Sequence, residues 1–156
     1  MAQESETAFR TRVHRLIFAS RLQFEDAVTA VRGLESIRDS ATRNNTAAEL
    51  SGLLLIHDGW FLEALEGHPD AVMHAYGRIV TDTRHNTAKL LASGLVEDRM
   101  FEAWTVCARV FGAGDAAILD ALDRRGPFDA GRLTDRAALK LLKTIQDIQM
   151  RAKLAA

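Results

Sequence analysis

The segment SGLLLIHDGWFLEALEG, residues 51–67, constrains the fold more than any other part of the sequence. It contains two apolar runs of strand length on either side of Asp58-Gly59, a residue pair preferred at the centre of a type I′ turn. The segment therefore predicts a tight antiparallel β-hairpin. Residues 53–56 are apolar at every position, which predicts that other elements cover both faces of the first strand.

The spacing of apolar residues predicts the remaining elements. In chain order these are a strand (14–20), a helix (24–43), a polar connection (43–49), a second helix (68–85), two strands (88–99 and 101–111) and two further helices (114–123 and 134–153). The resulting order β-α-β-β-α-β-β is typical of an α+β, ferredoxin-like sheet with two helices on one face and a fifth strand added at an edge. The two C-terminal helices are expected to cover the other face of the sheet or to form an interface.

The chain is expected to fold as one domain with a segment on either side. Its 156 residues correspond to a single domain of ordinary size. The polar residues 1–11 are predicted to be flexible, residues 12–111 to form the sheet domain, and residues 112–156 to form a C-terminal helical extension.

Composition excludes several classes of protein. The net charge is −1, so no field of one sign draws the chain to nucleic acid or to a membrane surface. No apolar run is long enough to span a bilayer, and the acidic N-terminal residues do not resemble a signal peptide. The single cysteine, Cys107, leaves no internal disulfide and fits a reducing compartment. We therefore expect a cytoplasmic protein that contacts neither a membrane nor nucleic acid.

The sequence has no pattern typical of an enzyme or of a metal site. It lacks a phosphate-binding loop, a GxSxG turn and a CxxC pair, and its five histidines show no HxxxH or HExxH spacing. No nucleophile is recognisably paired with a base. We therefore expect neither catalysis nor a bound metal.

One carboxylate interrupts the second strand of the hairpin. Because side chains alternate along a strand, Glu63 shares a face with Phe61 and Leu65. If that face lies beneath the helices, Glu63 is buried and must be protonated, paired or close to a polar ligand. If the helices lie on the other face, Glu63 meets solvent. Alternation alone does not distinguish these two arrangements.

Several short segments follow one another in a recognisable order. They are FAS (18–20), RNN (43–45), LSG (50–52), GWFLEALEG (59–67), YGRI (76–79), DTRH (82–85) and RMFEAW (99–104). In this order and spacing they resemble the BLUF domain, a flavin-binding module of blue-light sensors. The resemblance covers roughly residues 13–110.

The resemblance implies a site for a flavin such as FAD, with its ring on the sheet between the two crossover helices. Asn45 matches the asparagine whose amide recognises the carbonyl and N–H edge of the ring. Arg84 and His85 match a basic pair along the polar side of the ring, and Trp104 matches a tryptophan of the last strand. Without the resemblance, Asn45 is better explained as a residue that caps or turns the chain after the first helix. Arg84 and His85 are equally suited to form a solvated helix end.

Two residues of the implied flavin site depart from the family pattern. Phe18 stands where the family has a tyrosine that gives an electron and a proton toward the flavin, and it has no hydroxyl. Glu63 stands where the family has a glutamine that rearranges its hydrogen bonds. Both remain candidate flavin contacts, because a protonated glutamate is nearly isosteric with glutamine. Elsewhere Val106 replaces a methionine and Glu49 a glycine, while the only tyrosine, Tyr76, falls on the second helix.

These observations predict a BLUF-like sensory or regulatory domain that binds a flavin, lacks the usual Tyr/Gln photoswitch and signals through protein–protein contacts. The alternative is a flavin-free adaptor of the same fold that acts only by binding proteins. An open slot between the two helices favours the first, and large side chains filling that slot favour the second. In either case we expect a homodimer or higher homo-oligomer and a further protein partner.

Overall fold

The computed structural model describes residues 13–23, 26–108 and 128–155. Its elements are β1 (Val13–Leu22), α1 (Ala27–Ala47), β2 (Ser51–His57), β3 (Trp60–Gly67), α2 (Pro69–Val80), β4 (His85–Val96), β5 (Trp104–Ala108), a 3-10 turn (Ala130–Arg132) and α3 (Asp135–Ala155). The predicted order of strands and helices is confirmed through the fifth strand. The predictions for residues 1–11 and for a helix over 114–123 fall outside the described residues.

The five strands form one mixed sheet in the order β4-β1-β3-β2-β5. β1 pairs antiparallel with β3 and β4, and β2 pairs antiparallel with β3. β5 lies parallel to β2 at the edge, as predicted for the fifth strand. The last two strands start at residues 85 and 104 rather than at 88 and 101. The fold is therefore the predicted α+β, ferredoxin-like one, with β1 and β3 in the interior of the sheet.

The hairpin between β2 and β3 turns at Asp58 and Gly59. Both residues have positive φ angles, 52° and 77°, as a type I′ turn requires. The resulting register places Leu54 opposite Glu63, and β1 places Phe18 opposite Glu63 on the other side. The two-residue turn thus fixes which side chains of β3 face each layer of the fold.

Helices cover both faces of the sheet. On one face, α1 and α2 pack over Phe18 and Leu54. On the other face, α3 packs through Leu141 over Leu53 and Leu55. β2 is therefore buried from both sides, as its unbroken apolar run predicts. None of the helices in the described part of the chain is long and apolar enough to cross a membrane.

Helix α1 lies further along the chain than predicted. It begins after Asp26, whose carboxylate accepts the backbone N–H of Thr29 at 2.7 Å and caps the helix. It continues through Ala47 rather than ending at Arg43. The prediction ended the helix early because asparagine and threonine favour caps and turns by local propensity. As a result, Asn45 belongs to the last helical turn and not to a connecting loop.

Helix α2 ends earlier than predicted. The Thr81 hydroxyl donates to the carbonyl oxygens of Gly77 and Arg78, at 3.3 and 3.0 Å. This side chain thereby satisfies carbonyl groups at the helix end that have no backbone partner there. Residues 82–84 form a turn, and β4 begins at His85.

A buried ion pair fixes the approach to β5. Glu66 is fully buried, and its carboxylate accepts the backbone N–H groups of Met100 and Phe101 at 2.9 and 2.8 Å. The same carboxylate pairs with Arg15 at 2.7 Å. These bonds hold the chain in a loop, so that β5 begins only at Trp104.

Replacing Gly52 with alanine should destabilise the fold. Gly52 has a φ angle of 151°, and a Cβ atom there would overlap the backbone carbonyl of Ala64 on β3. We expect Gly52→Ala to lower the free energy of unfolding, measured by urea denaturation, by more than about 1 kcal/mol. The matched control is Gly77→Ala in α2, because no atom lies within 4 Å of that Cβ position. The control should be neutral or stabilising, and equal losses at both positions would contradict this interpretation.

Candidate ligand-binding site

A cleft of about 300 Å³ opens between α1 and α2, over the sheet. Side chains of β1, β2 and β3 form its floor, and the two helices form its walls. The lining residues are Phe18, Ile37, Ser40, Ala41, Asn44, Asn45, Leu54, Phe61, Glu63, Ala75, Arg78, Ile79, Asp82 and Arg84. The volume lies at the lower end of the range for small-molecule sites, roughly 300–1,000 Å³.

The two walls are helical stripes that face each other. The stripe on α1 consists of residues 37, 40, 41, 44 and 45, and that on α2 of residues 75, 78 and 79. Side chains three and four positions apart share one face of a helix, so each helix presents a single continuous side to the cleft. Between the stripes, the floor is apolar except for Glu63.

Glu63 lies in the cleft floor and faces the helices. Its side chain is almost completely buried, with the residue 5% exposed, which decides between the two arrangements that strand alternation left open. Burial raises the pKa of Glu63 to about 8. The indole N–H of Trp104 donates to Oε1 at 3.4 Å and offsets only part of this effect. Glu63 is therefore protonated at neutral pH and offers the cleft both a donor and an acceptor.

Phe18 is the direct cross-strand neighbour of Glu63. Its ring is buried and lines the cleft with no polar atom. Tyr76 packs against this ring, with 5.6 Å between the ring centroids. Tyr76 does not itself line the cleft, so its phenol lies next to Phe18 but outside the site.

Asn45 presents a free amide to the cleft. It is buried and lines the cleft from the last turn of α1. Its backbone carbonyl accepts the N–H of Leu50 at 2.9 Å, whereas its side-chain amide has no hydrogen-bond partner among the described residues. The side chain therefore caps no helix, contrary to the alternative that the sequence allowed.

Ser20, two residues after Phe18 and on the same face of β1, also has a buried Oγ without a partner. Such groups are rare in folded proteins. The Asn45 amide lines the cleft and suits a ligand, whereas Ser20 does not line it.

Arg84 is held beside the cleft by an acidic neighbour. Its Nε donates to the Asp82 carboxylate at 3.0 Å, and its Nη1 donates to the Ser36 hydroxyl on α1 at 3.1 Å. The hydrogen bond to Asp82 raises the pKa of Arg84. Because α2 ends before this turn, the interpretation of Arg84 as part of a helix end is wrong. His85 is the first residue of β4, and its side chain lies outside the described part of the structure.

β5 brings Trp104 and Val106 to the helix-covered face that carries the cleft. Trp104 is half-buried and reaches Glu63 through its indole N–H. Val106 packs with the apolar group around Phe61. Neither Trp104 nor Val106 lines the cleft. The Val106 carbonyl accepts Nε2 of Gln149 at 3.1 Å, so β5 connects the neighbourhood of the cleft to α3 on the opposite face.

Several residues of the cleft were not predicted from the sequence. Ser40, Asn44 and Arg78 line it, and Asp82 both lines it and binds Arg84. A signal was present on α1, because 40 and 44 are four positions apart on one helix, whereas Asp82 lies beyond the end of α2 and shares no helical face with Arg78. That spacing does not say which side of each helix faces the sheet, and this orientation comes only from the tertiary structure.

Comparison with known sequences assigns a family. The family described as "BLUF: Sensors of blue-light using FAD" matches residues 13–107. Photoactivated adenylate cyclase subunit beta from Euglena gracilis is 35% identical over 74 residues, which are 47% of this chain and 9% of the relative. The same subunit from Euglena longa is 34% identical over an equal span. The chain therefore covers about a tenth of the length of these curated relatives.

Solved structures share the fold. The photo-activated state of BlsA matches with a TM-score of 0.71 and 21% identity, over 83% of this chain and 91% of BlsA. The dark state of BlrB, a BLUF protein, matches with a TM-score of 0.70 and 22% identity, over 89% of this chain and 98% of BlrB. Klebsiella pneumoniae BlrP1 matches with a TM-score of 0.62 and 23% identity, over 86% of this chain but 34% of BlrP1. At these identities the likeness establishes a common fold.

The protonation of Glu63 predicts how stability depends on pH. The folded-state pKa is about 8 and the ordinary value is 4.5, so between these values the unfolded chain releases a proton that the folded chain retains. The free energy of unfolding that Glu63 contributes by retaining its proton is at its maximum below pH 4.5. It decreases as the pH rises toward 8 and changes no further above that pH. We expect Glu63→Gln to remove this decrease and to be more stable than wild type at pH 9, on the order of 5 kcal/mol.

The measurement is urea denaturation of wild type and Glu63→Gln between pH 5 and pH 9. Glu97→Gln, which removes an exposed carboxylate after β4, is the control and should follow wild type. Parallel curves for wild type and Glu63→Gln would show that Glu63 is ionised in the folded chain.

Proposed function

The chain belongs to the BLUF family, and from this membership we propose that it is a sensory domain that binds FAD in the cleft between α1 and α2. The observation that carries the proposal is the Asn45 amide, which is buried at the cleft without a partner. An amide pairs a donor and an acceptor with a ring edge that offers a carbonyl and an N–H. The neutral Glu63 carboxyl adds a second donor and acceptor in the same cleft.

The chemistry of the cleft residues fits a flavin. Phe18, Leu54 and Phe61 provide an apolar floor, which suits an aromatic ring. Unpaired negative charge is kept away from the ring, because Glu63 is protonated and the carboxylate of Asp82 is bound by Arg84. The flavin supplies light absorption and redox chemistry when bound, while the residues of the chain orient it and shield it from water.

The domain is further proposed to lack the usual blue-light switch of the family. Phe18 brings no hydroxyl to the cleft, and Glu63 is a carboxyl group that already accepts a hydrogen bond from Trp104. The remaining phenol, on Tyr76, lies outside the cleft with the Phe18 ring against it. A relay from a tyrosine through a glutamine therefore has neither of its two side chains.

The domain is proposed to act through protein contacts rather than through catalysis of its own. β5 supports this role, since it touches the cleft through the bond from Trp104 to Glu63 and touches α3 through the bond from Gln149 to the Val106 carbonyl. A change in the hydrogen bond between Trp104 and Glu63 is thus expected to be passed through β5 to α3, on the opposite face of the sheet. Self-association and binding of an effector protein through that face are part of the same proposal.

The open cleft favours this function over a flavin-free adaptor. In an adaptor that had lost its ligand, larger side chains would be expected to fill the ring site. Instead, Phe18 replaces a tyrosine and Glu63 replaces a residue of its own size, so neither departure from the family pattern reduces the space. The cleft retains about 300 Å³.

The visible absorption spectrum tests both parts of the proposal. Protein purified with FAD, or reconstituted with it, is expected to show flavin bands that do not shift after blue light. The double variant Phe18→Tyr/Glu63→Gln is expected to gain a reversible red shift, and each single variant is expected to lack it, because the relay needs both side chains.

Tyr76→Phe, made in the double variant, is the control and should leave the restored shift in place. A reversible red shift in the wild-type chain would contradict the loss of the switch. A colourless protein after addition of excess FAD would contradict flavin binding and would favour the adaptor.

A further inference from the structure

A second groove, of about 220 Å³, lies beside β5 and shares no lining residue with the cleft between α1 and α2. Helix α3 crosses the sheet to reach this groove, because Leu139 lies beside residues of β1 and β4 whereas Gln149 lies beside β5. The Gln149 side chain accepts a hydrogen bond from the Thr105 hydroxyl at 3.2 Å. Since β5 is an edge strand, the turn of α3 that follows Gln149 extends past the edge of the sheet.

The end of α3 carries apolar side chains that nothing in the described part of the chain covers. Residues 150–154 are all exposed, with Met150 39% and Leu154 87% exposed. These two residues are four positions apart and share one side of the helix, and both line the groove together with Ala103. A helical turn without packing contacts gains little stability from its own hydrogen bonds. A contiguous apolar patch at such a position is typical of a protein–protein contact.

Two opposite charges border this apolar patch. Glu102 lies just before β5 and Lys153 lies on α3, and both line the groove. Neither side chain has a hydrogen bond or an ion pair with another described residue. The groove therefore presents one acid and one base, each without a partner. A two-fold interface uses the same surface on both copies and must match itself, and a patch that carries both signs of charge meets this condition.

We propose that the groove beside β5 binds the same groove of a second copy of this chain across a two-fold axis. Leu154 of each copy packs into the groove of the other, and Lys153 of each copy pairs with Glu102 of the other. The inference rests on the self-association included in the proposed function and names the surface that forms it. Eight residues line the groove, against roughly 20–30 per partner in a standard interface, so the dimer is expected to dissociate on dilution.

Sedimentation velocity of the full chain, from micromolar to millimolar concentration, tests the inference. A reversible monomer–dimer equilibrium is expected for wild type. Leu154→Asp should raise the dissociation constant of the dimer at least about tenfold, because it removes an apolar anchor and places a carboxylate in the interface. The control is Leu95→Asp, which introduces the same charge at an exposed leucine of β4 outside the groove. This control should dimerise like wild type.

Charge reversal tests how the two copies face each other. Glu102→Lys and Lys153→Glu should each raise the dissociation constant by about tenfold at low salt, because each places like charges opposite one another at two symmetry-related contacts. The double variant Glu102→Lys/Lys153→Glu restores opposite charges and should dimerise to within about twofold of wild type. These differences should shrink as salt is added. Because the substituted positions are exposed, the variants are expected to fold normally.

The outcomes separate this inference from flavin binding. A wild-type chain that stays monomeric at millimolar concentration would overturn the interface. A dimer that Leu154→Asp leaves intact, or charge reversals that the double variant does not rescue, would also overturn it. The visible spectrum of the same samples reports flavin binding independently. A monomer with flavin bands would remove self-association alone, whereas a dimer that stays colourless with added FAD would contradict the proposed ligand and leave the interface in place.

Discussion

An ionised carboxylate at Glu63 would lose its water and gain only one indole N–H, 3.4 Å away. Burial of a charge under these conditions is unfavourable, and the side chain keeps its proton instead. Arg84, one of the two arginines that line the cleft, is bound to Asp82. The layer between the sheet and helices α1 and α2 can therefore hold an open, polar-lined cleft without a buried ion pair at its floor. A neutral donor and acceptor at that position is what makes the site suitable for an uncharged aromatic ring.

Three residues later on the same strand, a second buried acidic side chain has several partners instead of one. Glu66 points to the other face of β3, is fully buried, and has Arg15 and two backbone N–H groups as partners. Its bonds hold the loop before β5, and β5 in turn carries Trp104 to Glu63. A structural carboxylate on one face of the sheet thus positions the indole that contacts the carboxyl group on the other face. The floor of the cleft depends on residues that never line it.

The sequence was sufficient for the architecture because its signals there are local. Asp58-Gly59 specifies the hairpin, and strand alternation places Glu63 and Glu66 on opposite faces. Helix ends were less predictable, since the caps at Asp26 and Thr81 compete with propensity over only a few residues. Which face of β3 lies beneath the crossover helices required the family resemblance or the structure. Arg78 was missed because nothing in an exposed arginine on a helix indicates that it borders a cleft, and the lack of a partner is visible only in three dimensions.

The register between β1 and β3 places Phe18 directly opposite Glu63. Phe18 and Glu63 therefore form one cross-strand pair rather than two independent positions. Substitutions in such pairs are not additive, so a change at one position alters what is tolerated at the other. The free energy of unfolding of a variant changed at Phe18 alone, or at Glu63 alone, therefore does not report what that change would do beside a new partner. Only the two single variants and the double variant together separate the contribution of each side chain from the contribution of their contact.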